Sequence, residues 1–455
     1  MKKHILAFLI ALLPCIAFAQ KNYSALLDRY MQAYAAVHNF SGCVLVSKNG
    51  KVIYQKAFEF ANREWMVPNT LTTRFPILSI GKQFTAAAIL QLEEQGKLRV
   101  EDKLSKYFPG YPKGDSVTLH MLLNHTSGIY NYSDNPDFLK IDPNIPVNEL
   151  KEVYLSLFKD KPFNFSPGTW WSYSNSNYIL LGYIIEQVSG ETYGDYLLKN
   201  VLRKAGMDNS GVFDSHDAII PRVASGYTKK PGGWTRGGTI PISSGLGAGS
   251  IYATARDMHN WGKALYSGKV ISDTSLAKMN TPNHGSRGYG YGVYVDSMFN
   301  RRAIYHSGGF PGLNTYMIYY PKDEVQIIIL ANKDTRIDFL PKSFAAILFD
   351  YEVVLPHKRN RATIDPTTLK RFVGEYQVAG FPFPLNIIEK DNKLYWRHGE
   401  EWELIPSSPT KFYIGESDVE FQLEFMLNDH QEVEHMYFIE SGIKTEMKKK
   451  SDVGK

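Results

Sequence analysis

Cysteine is almost absent: the 455 residues contain only Cys15 and Cys43. A disulfide scaffold and a thiolate metal cluster are thereby excluded. Charge of one sign is also scarce. The net charge is +5 and no dense Lys/Arg stripe runs through the chain, so nucleic acid is not an expected partner. Beyond the first twenty residues no apolar run is long enough to cross a bilayer. Internal repeats and low-complexity segments are missing. There is no HExxH. His120 and His125 are five apart, as are His430 and His435, off the i, i+4 helix face that a metal site uses. No metal and no cofactor is therefore expected. GxSxG, GxGxxG and GxxxxGK are all absent, which removes the hydrolase elbow, the dinucleotide fingerprint and the phosphate loop. The glycines between Gly232 and Gly249 read as loop, because no helix start follows them in the required pattern.

What is present is an ordinary globular composition, 44% hydrophobic and 21% charged, with length for two or three units of ~150 residues each. Tyr (29) and Phe (25) are frequent, which points to many strands. The N-terminus reads as a processing signal. Lys2 and Lys3 precede an apolar run from Ile5 to Ala19, which closes on Ala17-Phe18-Ala19. A signal peptide over 1–19 and a periplasmic or secreted location are expected. Pro14 stands where a lipid-attachment site before Cys15 wants a small residue. Cleavage removes Lys2 and Lys3, and two fewer positive charges leave +3. The remaining Cys43, in the apolar run Cys43-Val44-Leu45-Val46, reads as a packed thiol.

The pattern along the chain suggests an α+β architecture. Residues 24–38 read as an amphipathic helix. Gly42–Ser47 and Val52–Phe58 are apolar runs around Asn49-Gly50, a dipeptide suited to a hairpin turn. A helix follows from about Ser79 to Gln95, with Gly96 placed to end it. Strand signals return at Ala303–Tyr305, Thr315–Tyr320 and Val325–Leu330, before a helix near 338–352. One antiparallel sheet built from both ends, flanked by helices and with a mostly helical subdomain inserted, accounts for this order. A hydrolase-sized unit over 20–356, a polar linker over 357–367, a small all-β barrel or sandwich over 368–448 and a polar tail over 449–455 are expected. In the β-rich region Val419, Phe421, Leu423 and Phe425 alternate with Glu420, Gln422 and Glu424. Asn428-Asp429 then makes a turn into a strand over Val433–Ile439.

Ser-x-x-Lys is the remaining chemical signal, and it occurs five times: Ser79/Lys82, Ser156/Lys159, Ser275/Lys278, Ser408/Lys411 and Ser441/Lys444. Context separates them. Ser408 and Ser441 lie among strands, where positions three apart point to opposite faces. Ser79 opens a helix, so Lys82 shares its face one turn on. The helix N-terminus favours an alkoxide on Ser79 and disfavours a cation on Lys82. A serine beside a proton-accepting lysine is an activated nucleophile. Two further motifs occur once each, Tyr173-Ser174-Asn175 and His306-Ser307-Gly308. A phenol near lysine can act as a base, an Asn side chain can hold a substrate amide, and a backbone N–H past the glycines can face a carbonyl oxygen. Taken singly, Ser79 is a helix cap, Tyr173 a half-buried aromatic and His306 a polar strand end. His125 reads as a loop-fixing imidazole, and Trp170 and Trp171 as cleft or core.

The ordered set Ser79-x-x-Lys82, Tyr173-x-Asn175 and His306-x-Gly308 resembles the class C β-lactamase and penicillin-binding-protein superfamily of serine hydrolases. The flanking Phe75–Ala86, Leu122–Gly128, Trp171–Asn175 and Gly247–Tyr252 agree with it. The resemblance covers roughly 25–352, and the β-rich tail resembles the barrel often appended to such hydrolases. It implies a β-lactamase/transpeptidase-like fold and a small-molecule or peptide substrate. It implies Ser79 as acylated nucleophile, Lys82 and Tyr173 as proton carriers, Asn175 with His306 and Gly308 as substrate contacts, and the N–H groups of Ser79 and Gly309 as oxyanion hole. The family's frequent Lys is His306 here. An imidazole of ordinary pKa, ~6.5, charges only in mild acid, so carboxylate-bearing substrates are expected to react better below that pH. The departure points to an esterase, a D-amino-acid peptidase or amidase, or a cell-wall peptide hydrolase, ahead of a β-lactamase or D-Ala-D-Ala carboxypeptidase. The rival of another class is a non-catalytic module that binds cell-wall peptides. A third reading makes the β tail the element that selects the partner.

Overall fold

The computed structural model describes residues 21–450, except 143–144, 146–148, 215–217, 239–244, 284, 336, 378–383, 415–420 and 441. The expected signal peptide, Cys15, Val419, Glu420 and the end of the polar tail lie outside the described residues.

Helix α1 (Tyr23–His38) starts where the Asn22 side chain accepts the Ala25 N–H at 3.1 Å, an N-cap that satisfies one orphan donor. Strands β1 (Gly42–Lys48) and β2 (Lys51–Phe58) follow. Their turn puts Asn49 at φ 52° and Gly50 at φ 68°, both left-handed, as a type I′ hairpin requires. After a long intervening stretch come β3 (Tyr294–Met298), β4 (Arg301–Phe310), β5 (Leu313–Tyr320) and β6 (Val325–Ala331). The six strands form one antiparallel sheet in the order β3-β4-β5-β6-β1-β2. The two ends of the chain therefore build one sheet, and they meet inside it where β6 pairs with β1. Both are buried on both faces, which is why they read as continuous apolar runs and not as alternation.

Alternate residues of these strands serve two cores. Val44, Val46, Ile327 and Ile329 face α1 and a late helix (Leu340–Leu348). Cys43, Leu45, Ile328 and Leu330 face the inserted helical layer. Cys43 donates its thiol to the Thr70 carbonyl at 3.2 Å, and burial pushes that thiol up to about 12. It is a core residue, not a nucleophile.

The inserted layer is centred on α2 (Lys82–Glu94), buried from Lys82 to Leu92. Phe84 stacks on Trp261 with ring centroids 4.0 Å apart. α3 (Asn175–Ser189) packs against it. No helix among the described residues is long and apolar enough to cross a membrane.

The C-terminal region closes into an eight-stranded up-and-down barrel, β7 (Gly374–Gln377) to β14 (Ile443–Lys449), with β7 and β14 paired to close it. Closure removes the free edges of a small sheet. Leu369 and Phe372, on a short turn before β7, plug the interior beside Phe412, Leu423 and Phe425. The barrel meets the rest of the chain through the Lys342–Glu440 ion pair, the Phe339–Phe421 ring contact and Val354 N–H on the Gly442 carbonyl. Phe339 caps the late helix and Lys342 lies in its first turn, on the sheet face opposite the inserted layer.

Candidate active site

Ser79 sits in a 3-10 turn (Leu78–Gly81) that runs directly into α2. The residue before it, Leu78, has φ 54°. A branched side chain held there costs about 1–2 kcal/mol. Neighbours hold it in place: Ile77 N–H bonds the Ile251 carbonyl at 2.9 Å, and the Thr315 hydroxyl bonds the Ile77 carbonyl at 3.0 Å. Strand β4 closes on the same turn at Gly308. A Cβ on Gly308 would lie 2.7 Å from the Ile77 oxygen and 2.8 Å from the Leu78 Cβ. Only glycine lets the strand approach the nucleophile this closely.

Lys82 is wholly buried, and its Nζ lies 3.0 Å from Ser79 Oγ, 2.8 Å from Asn175 Oδ1 and 2.8 Å from the Ala248 carbonyl. No carboxylate is among these contacts. Burial drives its pKa well below the ordinary value for lysine, where the sequence had suggested the helix field as the cause. Once the amine has lost its proton, the partners decide how it is arranged. Asn175 Oδ1 and the Ala248 carbonyl are pure acceptors, so they take its two hydrogens. The lone pair is left facing the Ser79 hydroxyl, which can donate to it.

Tyr173 is half-buried, and its hydroxyl is buried without a hydrogen bond. Burial raises the phenol well above its ordinary pKa; the Ser79 side chain offsets part of the rise. The Lys82 Nζ lies 5.0 Å from the centre of the Tyr173 ring. Tyr173 therefore stays protonated beside an amine whose pKa burial has lowered. Asn175 begins α3. Its N–H bonds Asn131 Oδ1 at 3.0 Å, and its side-chain amide points to Ser133 Oγ at 3.4 Å.

His306 departs from expectation. It is 2% exposed. Its Nδ1 lies 2.6 Å from the Ser307 carbonyl and its Nε2 lies 2.9 Å from the Tyr289 hydroxyl. A carbonyl only accepts, so Nδ1 carries the proton and Tyr289 donates to Nε2. Burial, with Lys82 nearby, lowers its pKa to about 3. The expectation that it charges near pH 6.5 is overturned. Its ring is tied into the wall, with its centroid 6.2 Å from that of Tyr173.

The backbone past His306 is open. β3 pairs with β4 only as far as Tyr305, and the β4–β5 hairpin closes through a two-residue loop at Phe310↔Leu313. The closing pair of such a hairpin exchanges both hydrogen bonds, and alternate pairs repeat this. Counting back, Gly308 and His306 bond β5, while the N–H groups of Ser307 and Gly309 point to the unpaired edge.

His125 is buried beneath Tyr173, with ring centroids 4.4 Å apart. The Ser174 N–H and the Asn177 amide both reach its Nδ1, at 3.3 and 3.2 Å, so it supports the Tyr173 loop from below. Burial holds it neutral, well below its ordinary pKa. Three of the other Ser-x-x-Lys pairs do not make such a site: Lys278 pairs with Glu93, and the Ser156 and Ser408 hydroxyls bond local backbone; Ser441 lies outside the described residues. Sequence reasoning missed Asn131, Ser133, Tyr289 and the Ala248 carbonyl. The small-residue run Gly247-Ala248-Gly249 was the one visible signal. It packs against α3 at Tyr178 and Gly182 and brings the carbonyl to Lys82.

The comparisons with known proteins agree with this geometry. The family model described as Beta-lactamase matches residues 27–350. Penicillin-binding protein 4* of Bacillus subtilis is 30% identical over 439 residues, covering 90% of this chain and 95% of that protein. A teichoic acid D-alanine hydrolase of Staphylococcus aureus is 28% identical over 318 residues, covering 68% of this chain and 75% of that protein. The crystal structure of a penicillin-binding protein from Bacillus halodurans superposes with TM-score 0.61 at 34% identity, covering 67% of this chain and 94% of that one. The chain belongs to the beta-lactamase family, as a serine hydrolase of the penicillin-binding-protein type.

Proposed function

We propose that the protein cleaves D-aminoacyl esters or amides, outside the cytoplasm, through an acyl-enzyme on Ser79. The buried Lys82 amine, its pKa lowered by burial and its Nζ 3.0 Å from Ser79 Oγ, is the observation that carries this reading. Ser79 Oγ attacks the substrate carbonyl as its proton passes to Lys82 Nζ. The carbonyl oxygen takes up negative charge, and the N–H groups of Ser79 and Gly309 stabilise it. Asn175 holds the substrate amide or ester oxygen through its side-chain NH2. As the bond to the leaving group breaks, Tyr173 O–H gives that group a proton and regains one from Lys82. Water then attacks the acyl-enzyme by the same steps in reverse. A protonated Tyr173 beside a Lys82 of lowered pKa makes the lysine the base and the phenol the acid.

D-Aminoacyl substrates are proposed because a teichoic acid D-alanine hydrolase is among the relatives. His306 supports the choice of ester or amide over D-Ala-D-Ala peptide. Neutral and buried, it offers no cation to a carboxylate next to the scissile bond. A fluorophosphonate probe is expected to label Ser79, seen as a mass shift on its peptide, and D-alanyl esters to turn over faster than penicillin or D-Ala-D-Ala peptides. A folded protein that takes no label on Ser79 sinks the proposal. Labelling together with preferred turnover of penicillin replaces its substrate half.

A further inference from the structure

The turn from Ser286 to Tyr289 has two ends with opposite environments. Ser286 N–H bonds the Asn283 carbonyl and Tyr289 N–H bonds the Ser286 carbonyl at 2.9 Å. Arg287 at φ 49° and Gly288 at φ 81° turn the chain sharply between them. Tyr289 goes inward, to His306 Nε2 and to the Tyr173 ring, with centroids 6.1 Å apart. Arg287, two residues earlier, is exposed. Its guanidinium lies 5.5 Å from the centre of the Trp170 ring and 6.0 Å from that of Trp171. No ion pair neutralises it among the described residues.

The two tryptophans belong to the segment that leads into Tyr173. Trp170 is 60% exposed, unusual for so large an apolar face. Trp171 packs inward, its ring 6.2 Å from that of Tyr289, and its Nε1 is buried without a partner. An exposed aromatic plane, an orphaned indole N–H and an unpaired guanidinium thus meet at one rim. Stacking on indole pre-orients the guanidinium fork and leaves its edge free for an oxyanion. Inside the cleft, His306 is buried and neutral and the buried Lys82 Nζ is engaged by Ser79, Asn175 and the Ala248 carbonyl, so a negatively charged substrate finds no free cation there.

We propose that Arg287, held over Trp170 and Trp171, forms an outer subsite that binds an anionic group carried by the substrate, a phosphate or a carboxylate. This rests on the hydrolase reading above. The guanidinium lies against Trp170 and Trp171, and Tyr289 and His125 stand between Trp171 and Tyr173. The anion is therefore remote from the scissile bond, as in a polymer phosphate or the far end of a peptide.

The test compares matched D-alanyl esters, of glycerol and of glycerol phosphate, and matched D-alanyl peptides ending in an amide or a carboxylate. The wild type is expected to favour the anionic member of at least one pair, and the favoured pair tells phosphate from carboxylate. Arg287→Ala is expected to lower that preference about tenfold, through KM and not kcat. Arg287→Lys is expected to fall between, and 0.5 M salt to erase the preference. A binding arm runs independently of catalysis. Glycerol phosphate and an acetylated dipeptide are titrated by tryptophan fluorescence against wild type and Arg287→Ala. Saturable quenching that Arg287→Ala loses supports the subsite even if no ester turns over. An anionic preference and quenching curve unchanged in Arg287→Ala overturn it. Failure of Ser79 to label overturns the hydrolase reading alone.

Discussion

Around Ser79 the protein buries Lys82, His125, His306 and the Tyr173 hydroxyl, some of them without a full set of partners. In the barrel, Phe372, Phe412 and Phe425 meet at ring centroids 4.6 to 5.7 Å apart. The barrel's charges stay on its outer face in cross-strand pairs, Lys411 and Lys444 on Glu424 and Lys393 on Glu403. One core is polar where it needs to be reactive. The other is apolar and closed. Buried polar groups that lack partners cost stability, and the first core accepts that cost at the residues that hold and move a proton.

The largest effect separates the two by chemistry. Ser79→Ala is expected to lower kcat/KM by about 10⁴ or more. Lys82→Met, which removes the proton acceptor, is expected to lower it by a similar factor, while its melting temperature stays equal or rises because a desolvated amine is gone. Calorimetry alongside the kinetics checks both. A Lys82→Met protein that melts well below wild type breaks the claim that this amine is a stability cost.

Phe425→Ala acts on the other core. It is expected to destabilise the barrel by about 3–5 kcal/mol and to leave fluorophosphonate labelling of Ser79 within twofold. The same variant tests the reading that the barrel selects the partner, since native substrate turnover then falls without loss of labelling. A proportional loss of both signals removes the distinction between the cores.

Acid sharpens the contrast. Below pH 6.5 the unfolded chain binds a proton on His306 that the folded chain refuses until about pH 3. The unfolded state holds more protons in that window, so stability falls as pH drops from 6.5 toward 3. The slope for this one group is at most about 1.4 kcal/mol per pH unit. His125, also lowered by burial, acts with the same sign. His306→Gln is expected to reduce proton uptake on unfolding at pH 5 by about one, read from the pH dependence of urea midpoints. An unchanged slope sinks the assignment.

The smallest effect lies on the barrel's outer face. Removing Glu424, whose side chain is 15% exposed between two lysines, is expected to cost about 1 kcal/mol, and Lys411→Ala less. Both losses are expected to shrink in 1 M salt, with Ser79 labelling unmoved.

Local chemistry was legible in the residues. The Asn49-Gly50 hairpin, the helix that Ser79 heads and the sheet shared by both chain ends follow from turn chemistry, spacing and apolar runs. Cys43 as a core thiol follows from its neighbours along the strand. Tyr294–Met298 was not read as a strand, because this sheet edge is half-exposed and its pattern weak. The start of α3 at Asn175 was hidden because polar Asn175 to Asn177 carry no apolar period.

The sequence by itself determined which groups stand near the nucleophile, since Ser79 and Lys82 are one helical turn apart whatever else the chain does. The tertiary structure alone decided their state. The pKa of Lys82 is lowered because α3 and the Gly247–Gly249 run close over it from more than ninety positions away, and His306 is uncharged because Tyr289 and Tyr173 enclose it. Desolvation is a sum over whatever packs in space, and no spacing along the chain encodes it. The placement of Arg287 over Trp170 follows the same rule, because only the folded chain brings residues 170 and 287 to one rim.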